Sequence, residues 1–232
     1  HPIDRGFQHT LLVGGGATGQ TPDFWGNTMF DPHLQENGKW KPYKGYMTDI
    51  FVEEALKWIR AEKNPWFCYL PLNAPHVPLQ VGEKWSKPYL DAGLPEHLAK
   101  FYGMIANLDS ELGKMLAELA KDGLDRETIV IFLGDNGTAL GGSPRPGDFN
   151  GGLRATKGSA YQGGVRIPAV FSWPGGQGPA AFRHAVEPQA HVRLEVYSAT
   201  TPGDLAGSAR ARRTIPLQPD ACLCAKSLEF LH

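Results

Sequence analysis

Apolar positions along the chain fall into helical stripes and short unbroken runs. Between residues 48 and 62, Phe51, Ala55, Trp58 and Ile59 recur on one face, which predicts a helix with Thr48 or Asp49 as its cap. Asn64-Pro65 stops it, because proline pushes the preceding residue out of helical geometry. A longer stripe runs through Leu98, Phe101, Ile105, Leu108, Leu112, Met115, Leu116 and Leu119. It predicts a helix over 95–121, ended by Gly123. The runs 66–72, 128–133 and 165–173 read as strands, the first two as buried ones. Residues 1–47 read mostly as loop, broken by Gly14-Gly15-Gly16, Pro22, Pro32 and Pro42. Helix and strand in alternation predict a doubly wound α/β sheet. Ligands in such sheets sit beyond the carboxyl ends of the strands.

The pattern fades after about residue 177. Residues 1–176 carry 11 Lys and 6 Arg, whereas 177–232 carry one Lys and 5 Arg. We therefore expect a patterned domain over 1–176 and a tail over 177–232 of uncertain structure. A change of reading frame near residue 177 would account for the switch.

Composition narrows the class of protein. Hydrophobic residues make up 41% and charged residues 20% of 232, enough to bury a core. A formal net charge of -1 gives no electrostatic reason to expect nucleic acid or an anionic membrane as partner. No apolar run approaches the roughly 18 residues that predict a membrane span. Cys68, Cys222 and Cys224 are too few for a disulfide framework, and Cys222-x-Cys224 fits incidental thiols better than zinc. The Gly14-Gly16 run lacks the following lysine of a phosphate-binding loop.

Four residues could carry chemistry. Asp135 and Asn136 follow the strand at 128–133 and offer two hard oxygen ligands for Ca²⁺ or Mg²⁺. Asp135-Asn136-Gly137 is equally a good tight-turn sequence, and both readings stand. His76 lies between Pro75 and Pro78 on a strand-end loop. An unperturbed imidazole titrates at about 6.5, which suits a general acid; a structural loop histidine is the alternative. Lys157, beside Gly158, could hold an anion or lie solvated on a loop. Arg154 and Arg166 could instead be structural ion-pair partners.

Read together, these positions resemble the sulfatase family of the alkaline-phosphatase-like α/β superfamily. The words that carry the likeness begin with Asp4-Arg5-Gly6-Phe7 and Gly45-Tyr46-Met47-Thr48-Asp49. They continue with Asn73-Ala74-Pro75-His76-Val77-Pro78 and with residues 101–109, FYGMIANLD. The last are 128–137, TIVIFLGDNG, then 157–168, KGSAYQGGVRIP, and Trp173-Pro174-Gly175. The resemblance implies an alkaline-phosphatase-like fold, incomplete here, and hydrolysis of a small-molecule or carbohydrate sulfate ester. It implies Asp135 and Asn136 as ligands of Ca²⁺, or of Mg²⁺. It also implies that His76 binds sulfate and protonates the leaving oxygen, and that Lys157 contacts the sulfate. Relatives of this kind imply a periplasmic, secreted or lysosomal-type compartment.

One family word is missing. Sulfatases attack with a formylglycine made from the Cys or Ser of a Cys/Ser-x-Pro/Ala-x-Arg word. Cys68 is followed by Tyr69-Leu70-Pro71-Leu72, and Cys222 by Leu223-Cys224-Ala225-Lys226, so neither fits. The family's paired aspartates and its Lys-Trp-His word are absent too. We expect a chain truncated before residue 1 and inactive alone. The other readings are a non-catalytic remnant that binds metal or anion, and a phosphodiesterase or phosphonate hydrolase of the same superfamily.

Overall fold

The computed structural model describes residues 1–139, 150–175, 182–183 and 221–224, so most of the tail expected over 177–232 lies outside them. The chain divides into two compact units: His1–Glu118 with Pro216–His232, and Leu119–Ile215.

In the first unit, the segment read as loop holds a short 3₁₀ turn, Pro2–Arg5, and three strands. The strands are β1 (His9–Leu12), β2 (His33–Glu36) and β3 (Lys39–Pro42). β2 and β3 pair in register from His33 opposite Pro42 to Glu36 opposite Lys39. Their two turn residues, Asn37 at φ 49° and Gly38 at φ 79°, are both left-handed. A tight hairpin matched to the strand twist needs that pair of conformations, and Asn-Gly adopts them at little cost. Asn37 also ties the turn to β1: its Oδ1 accepts the Thr10 N–H at 2.9 Å and its N–H donates to the Thr10 carbonyl at 2.9 Å.

α1 (Met47–Ala61) follows. Tyr46 is its N-cap and makes no side-chain capping bond, while Thr48 is buried inside the first turn. The expected Thr48 or Asp49 cap is therefore not used. The start is set by the buried face of Met47, Ile50, Phe51, Ala55 and Ile59 instead. Asp49 is occupied otherwise: its carboxylate accepts from Asn107 Nδ2 at 2.8 Å.

β4 (Phe67–Tyr69) occupies the middle of the run read as a buried strand, but Phe67 is 42% exposed. The sheet order is β3-β2-β1-β8-β4, in which β8 (Ala221–Cys224) runs parallel to both β1 and β4. α2 (Glu83–Asp91), which the sequence reading missed, contains Pro88. α3 (Glu96–Lys121) is the long helix, found at the expected bounds to within a residue. Leu11, Val13, Met29, Leu34, Tyr46, Met47, Phe51 and Met104 form the core of this unit.

In the second unit, β5 (Val130–Leu133), β6 (Ala169–Ser172) and β7 (Phe182–Arg183) make an antiparallel sheet in that order. A short helix, α4 (Gln162–Val165), ends on the first residue of the run read as the third strand, and β6 takes up the later part of that run. β5 was expected to be buried, yet Ile131, Phe132 and Leu133 are 43%, 38% and 50% exposed. An apolar run reports the capacity for burial; it does not say that a covering layer stands over it.

Candidate active site

The loop after β5 is held by backbone. Gly134 donates its N–H to the Pro168 carbonyl at 3.0 Å, and Gly137 donates to the Gly164 carbonyl at 2.9 Å. Asp135 and Asn136 sit between these two anchors. A Cβ at position 137 would lie 1.9 Å from the Gly163 carbonyl oxygen, so only glycine permits this approach. The segment is no tight hairpin, since β5 pairs with β6 far along the chain.

Lys157 joins the same loop. Its N–H donates to the Thr138 carbonyl at 3.0 Å, which sets its main chain beside the turn that carries Asn136. The Lys157 loop is wired at several points. Asn150 Nδ2 donates to the carbonyls of Leu153 at 2.7 Å and Ala155 at 3.1 Å. Ala155 is left-handed at φ 62°, a conformation that costs an L-residue roughly 1–2 kcal/mol. The Arg154 guanidinium lies 3.6 Å over the Tyr161 ring and donates to its hydroxyl at 2.9 Å. Arg154 thus holds an aromatic ring, not the ion pair considered from sequence. Sequence reasoning missed this clasp, although Arg154 and Tyr161 bracket Lys157 in the chain.

Asp135 and Lys157 are exposed and Asn136 is half-buried. The Asp135 carboxylate makes no hydrogen bond or ion pair with the described residues. Two hard oxygens fit part of a Ca²⁺ or Mg²⁺ shell. Among the described residues no group of three or more His, Cys, Asp and Glu side chains could hold a metal. The pair therefore fits as part of a site and not as a whole one.

His76 lies in the first unit, beyond the carboxyl end of β4. Its N–H donates to the Asn73 carbonyl at 2.8 Å, and Nδ1 stands 2.9 Å from the Val77 carbonyl oxygen. A carbonyl only accepts, so Nδ1 carries the proton there. The bond leaves Nε2 as the nitrogen that can take up or give away a proton. The ring is half-buried.

A family model for sulfatases matches residues 9–207, and the chain belongs to the sulfatase family. It is 33% identical over 132 residues to N-acetylgalactosamine-6-sulfatase of Rattus norvegicus, covering 56% of this chain and 24% of that protein. It is 30% identical over 125 residues to human arylsulfatase A, covering 54% and 23%. The chain thus spans about a quarter of the length of these relatives. Among solved structures, Ps i-CgsB in complex with k-i-k-neocarrahexaose matches with a TM-score of 0.67 and 29% identity. That match covers 80% of this chain and 44% of the other, and the fold is the alkaline-phosphatase-like α/β fold expected from sequence.

Proposed function

We propose that this chain carries part of the catalytic site of a sulfuric ester hydrolase. The observation that supports the reading is the Lys157 N–H bonded to the main-chain carbonyl of Thr138, two residues past Asn136. In this reading Lys157 holds a sulfate oxygen, and His76, as the imidazolium with its Nδ1–H on the Val77 carbonyl, gives the proton on Nε2 to the departing alcohol oxygen and is left neutral. Charge develops on that oxygen in the transition state, so a cation and a proton donor belong beside it. Asp135 and Asn136 would supply two ligands to Ca²⁺ or Mg²⁺; a bound cation polarises the sulfuryl oxygens and orients the nucleophile. The nucleophile word is absent from the 232 residues, so the chain alone is expected to be inactive.

The substrate we assign is a carbohydrate sulfate. One relative is named for N-acetylgalactosamine 6-sulfate chemistry, and the solved neighbour holds k-i-k-neocarrahexaose. The family likeness also leads us to propose a periplasmic, secreted or lysosomal-type compartment; among the described residues no helix is long and apolar enough to cross a membrane. A second reading, binding of anion or metal without turnover, is favoured for the isolated chain by its two-ligand metal position.

An assay with an aryl sulfate separates these. The purified chain is expected to show no turnover. In a longer parent that carries a Cys/Ser-x-Pro/Ala-x-Arg word, His76→Ala is expected to lower kcat by about 10²–10⁴-fold, the usual worth of a general acid. Hydrolysis by the chain alone, abolished in His76→Ala, would show that no nucleophile is missing. An unaffected His76→Ala parent would remove the histidine from the chemistry.

A further inference from the structure

Two of the family words, residues 45–49 and 101–109, have no part in the chemistry above, yet the first is wired to the loop that bears His76. Tyr46 is buried, at 7% exposure, and its hydroxyl donates to the Gln80 main-chain carbonyl at 2.8 Å. Burial, helped by the Asp49 carboxylate, pushes that hydroxyl well above the ordinary tyrosine range, so it remains a donor while the chain is folded. The Gln80 side chain then accepts the Met29 N–H on Oε1 at 2.9 Å. Met29 in turn accepts the Met47 N–H on its carbonyl at 2.8 Å, and Met47 is the neighbour of Tyr46. These bonds close a ring that fixes Gln80 to the start of α1.

Gln80 ends the short loop that Asn73 begins. Asn73 is 5% exposed at the other end and holds the His76 N–H on its carbonyl. Pro75 and Pro78 have fixed φ within the loop. Leu72, Ala74, Leu79 and Val81 pack against the core cluster that includes Tyr46 and Met47. The loop therefore has little freedom between two fixed ends, and one end is held by Tyr46 through Gln80. The second word supports the first: Asn107 donates to Asp49, three residues past Tyr46 on the first turn of α1.

We propose that Tyr46, acting through Gln80, is a positioning residue for His76: it holds the 73–80 loop so that Nδ1–H stays on the Val77 carbonyl and Nε2 stays available. Neither Tyr46 nor Gln80 touches substrate in this arrangement. The inference rests on the role given to His76 above.

The test is long-range ¹H–¹⁵N spectroscopy of the His76 ring in the 232-residue chain, at a pH where the imidazole is neutral. The wild-type ring is expected mainly as the Nδ1–H tautomer. Tyr46→Phe removes the hydroxyl and keeps the ring; Gln80→Ala removes the acceptor of Met29. Each is expected to lower the ratio of Nδ1–H to Nε2–H by about fivefold, the loss of roughly one hydrogen bond's net stabilisation. Gln80→Glu keeps an acceptor at the same place and is expected to retain the wild-type ratio. A merely structural role would lower the melting temperature and leave the tautomer alone. An unchanged ratio in Tyr46→Phe, or a Gln80→Glu ratio that falls as far as that of Gln80→Ala, overturns the proposal. If Gln80→Ala does not fold, Tyr46→Phe decides it by the same spectrum. A shifted tautomer alongside an unaffected His76→Ala parent would keep the clamp and discard the catalytic role, so the two failures are distinct.

Discussion

Gly137 shows how one residue can fix a loop that carries two candidate ligands. Its Cβ would stand 1.9 Å from the Gly163 oxygen, a backbone atom that cannot swing aside. Gly137→Ala must therefore push the Asp135–Asn136 loop away from α4 or break the Gly137–Gly164 bond. We expect a loss of about 1–3 kcal/mol, the usual cost of overpacking, in a denaturant melt. Faster amide exchange at Lys157 should accompany it, because the Thr138 carbonyl belongs to the same loop. Gly113 is the control. It lies within α3, and a Cβ there meets nothing within 4 Å. Gly113→Ala should leave stability unchanged or raise it by about 0.5–1 kcal/mol, from the lower freedom of alanine in the unfolded chain. Equal losses at both positions would refute the close-approach argument. In the sequence, Asp135-Asn136-Gly137 served turn and ligand readings equally well. The backbone that this segment faces, at 163–168, is specified by no local pattern.

At the scale of elements, amphipathic spacing located α1 with its buried face of Phe51, Ala55 and Ile59, and located α3 but misjudged part of what it buries. The stripe of α3 includes Ile105 and Leu116, which are 37% and 48% exposed. Leu98 and Leu119 of that stripe are buried, and so are Ala99, Met104, Asn107 and Glu111, which lie outside it. Periodicity identifies an apolar face; which face has a partner depends on where α1 lies, and Asp49 draws Asn107 inward. The hairpin of β2 and β3 was legible in Asn37-Gly38 and was passed over because proline and glycine crowd that region.

This hairpin carries a pH dependence of known sign. The Lys41 ammonium beside Glu36 holds its carboxyl below the usual carboxylate range, by hydrogen bond first and charge second. A lowered folded-state value means that the pair contributes above the unfolded carboxylate's range. The contribution is lost as pH falls through the folded-state value. Lys41 is 53% exposed, so solvent limits the gain to under about 1 kcal/mol. Wild type should thus melt slightly above Glu36→Gln at neutral pH, and the gap should close in acid. A gap that widens in acid would reverse the assignment.

For the whole molecule, the metal position tests how far the family likeness can be carried onto this chain. The likeness rests on several words in order, and the fold they imply is present. Of the residues they single out, Asp135, Asn136 and Lys157 share one loop system in the second unit, and His76 is fixed within the first. Sequence order alone made the four residues readable as a set, since no spacing rule joins a histidine at 76 to an aspartate at 135. Coordination chemistry then sets a limit. Ca²⁺ wants six to eight oxygens, and complete extracellular sites of the weaker kind bind at about 10⁻⁴–10⁻³ M. Two adjacent ligands are far fewer than that, and among the described residues no three or more His, Cys, Asp and Glu side chains gather to hold a metal. Calorimetric titration of the purified chain with Ca²⁺ is therefore expected to give a Kd weaker than about 10⁻³ M, with Asp135→Asn removing what binding there is. A Kd in the micromolar range would mean that further ligands converge on Asp135, and the partial-site reading would then be wrong. Weak binding lost in Asp135→Asn would leave Asp135 and Asn136 as they stand here, two oxygens held in place by Gly134 and Gly137 on a shell that needs more.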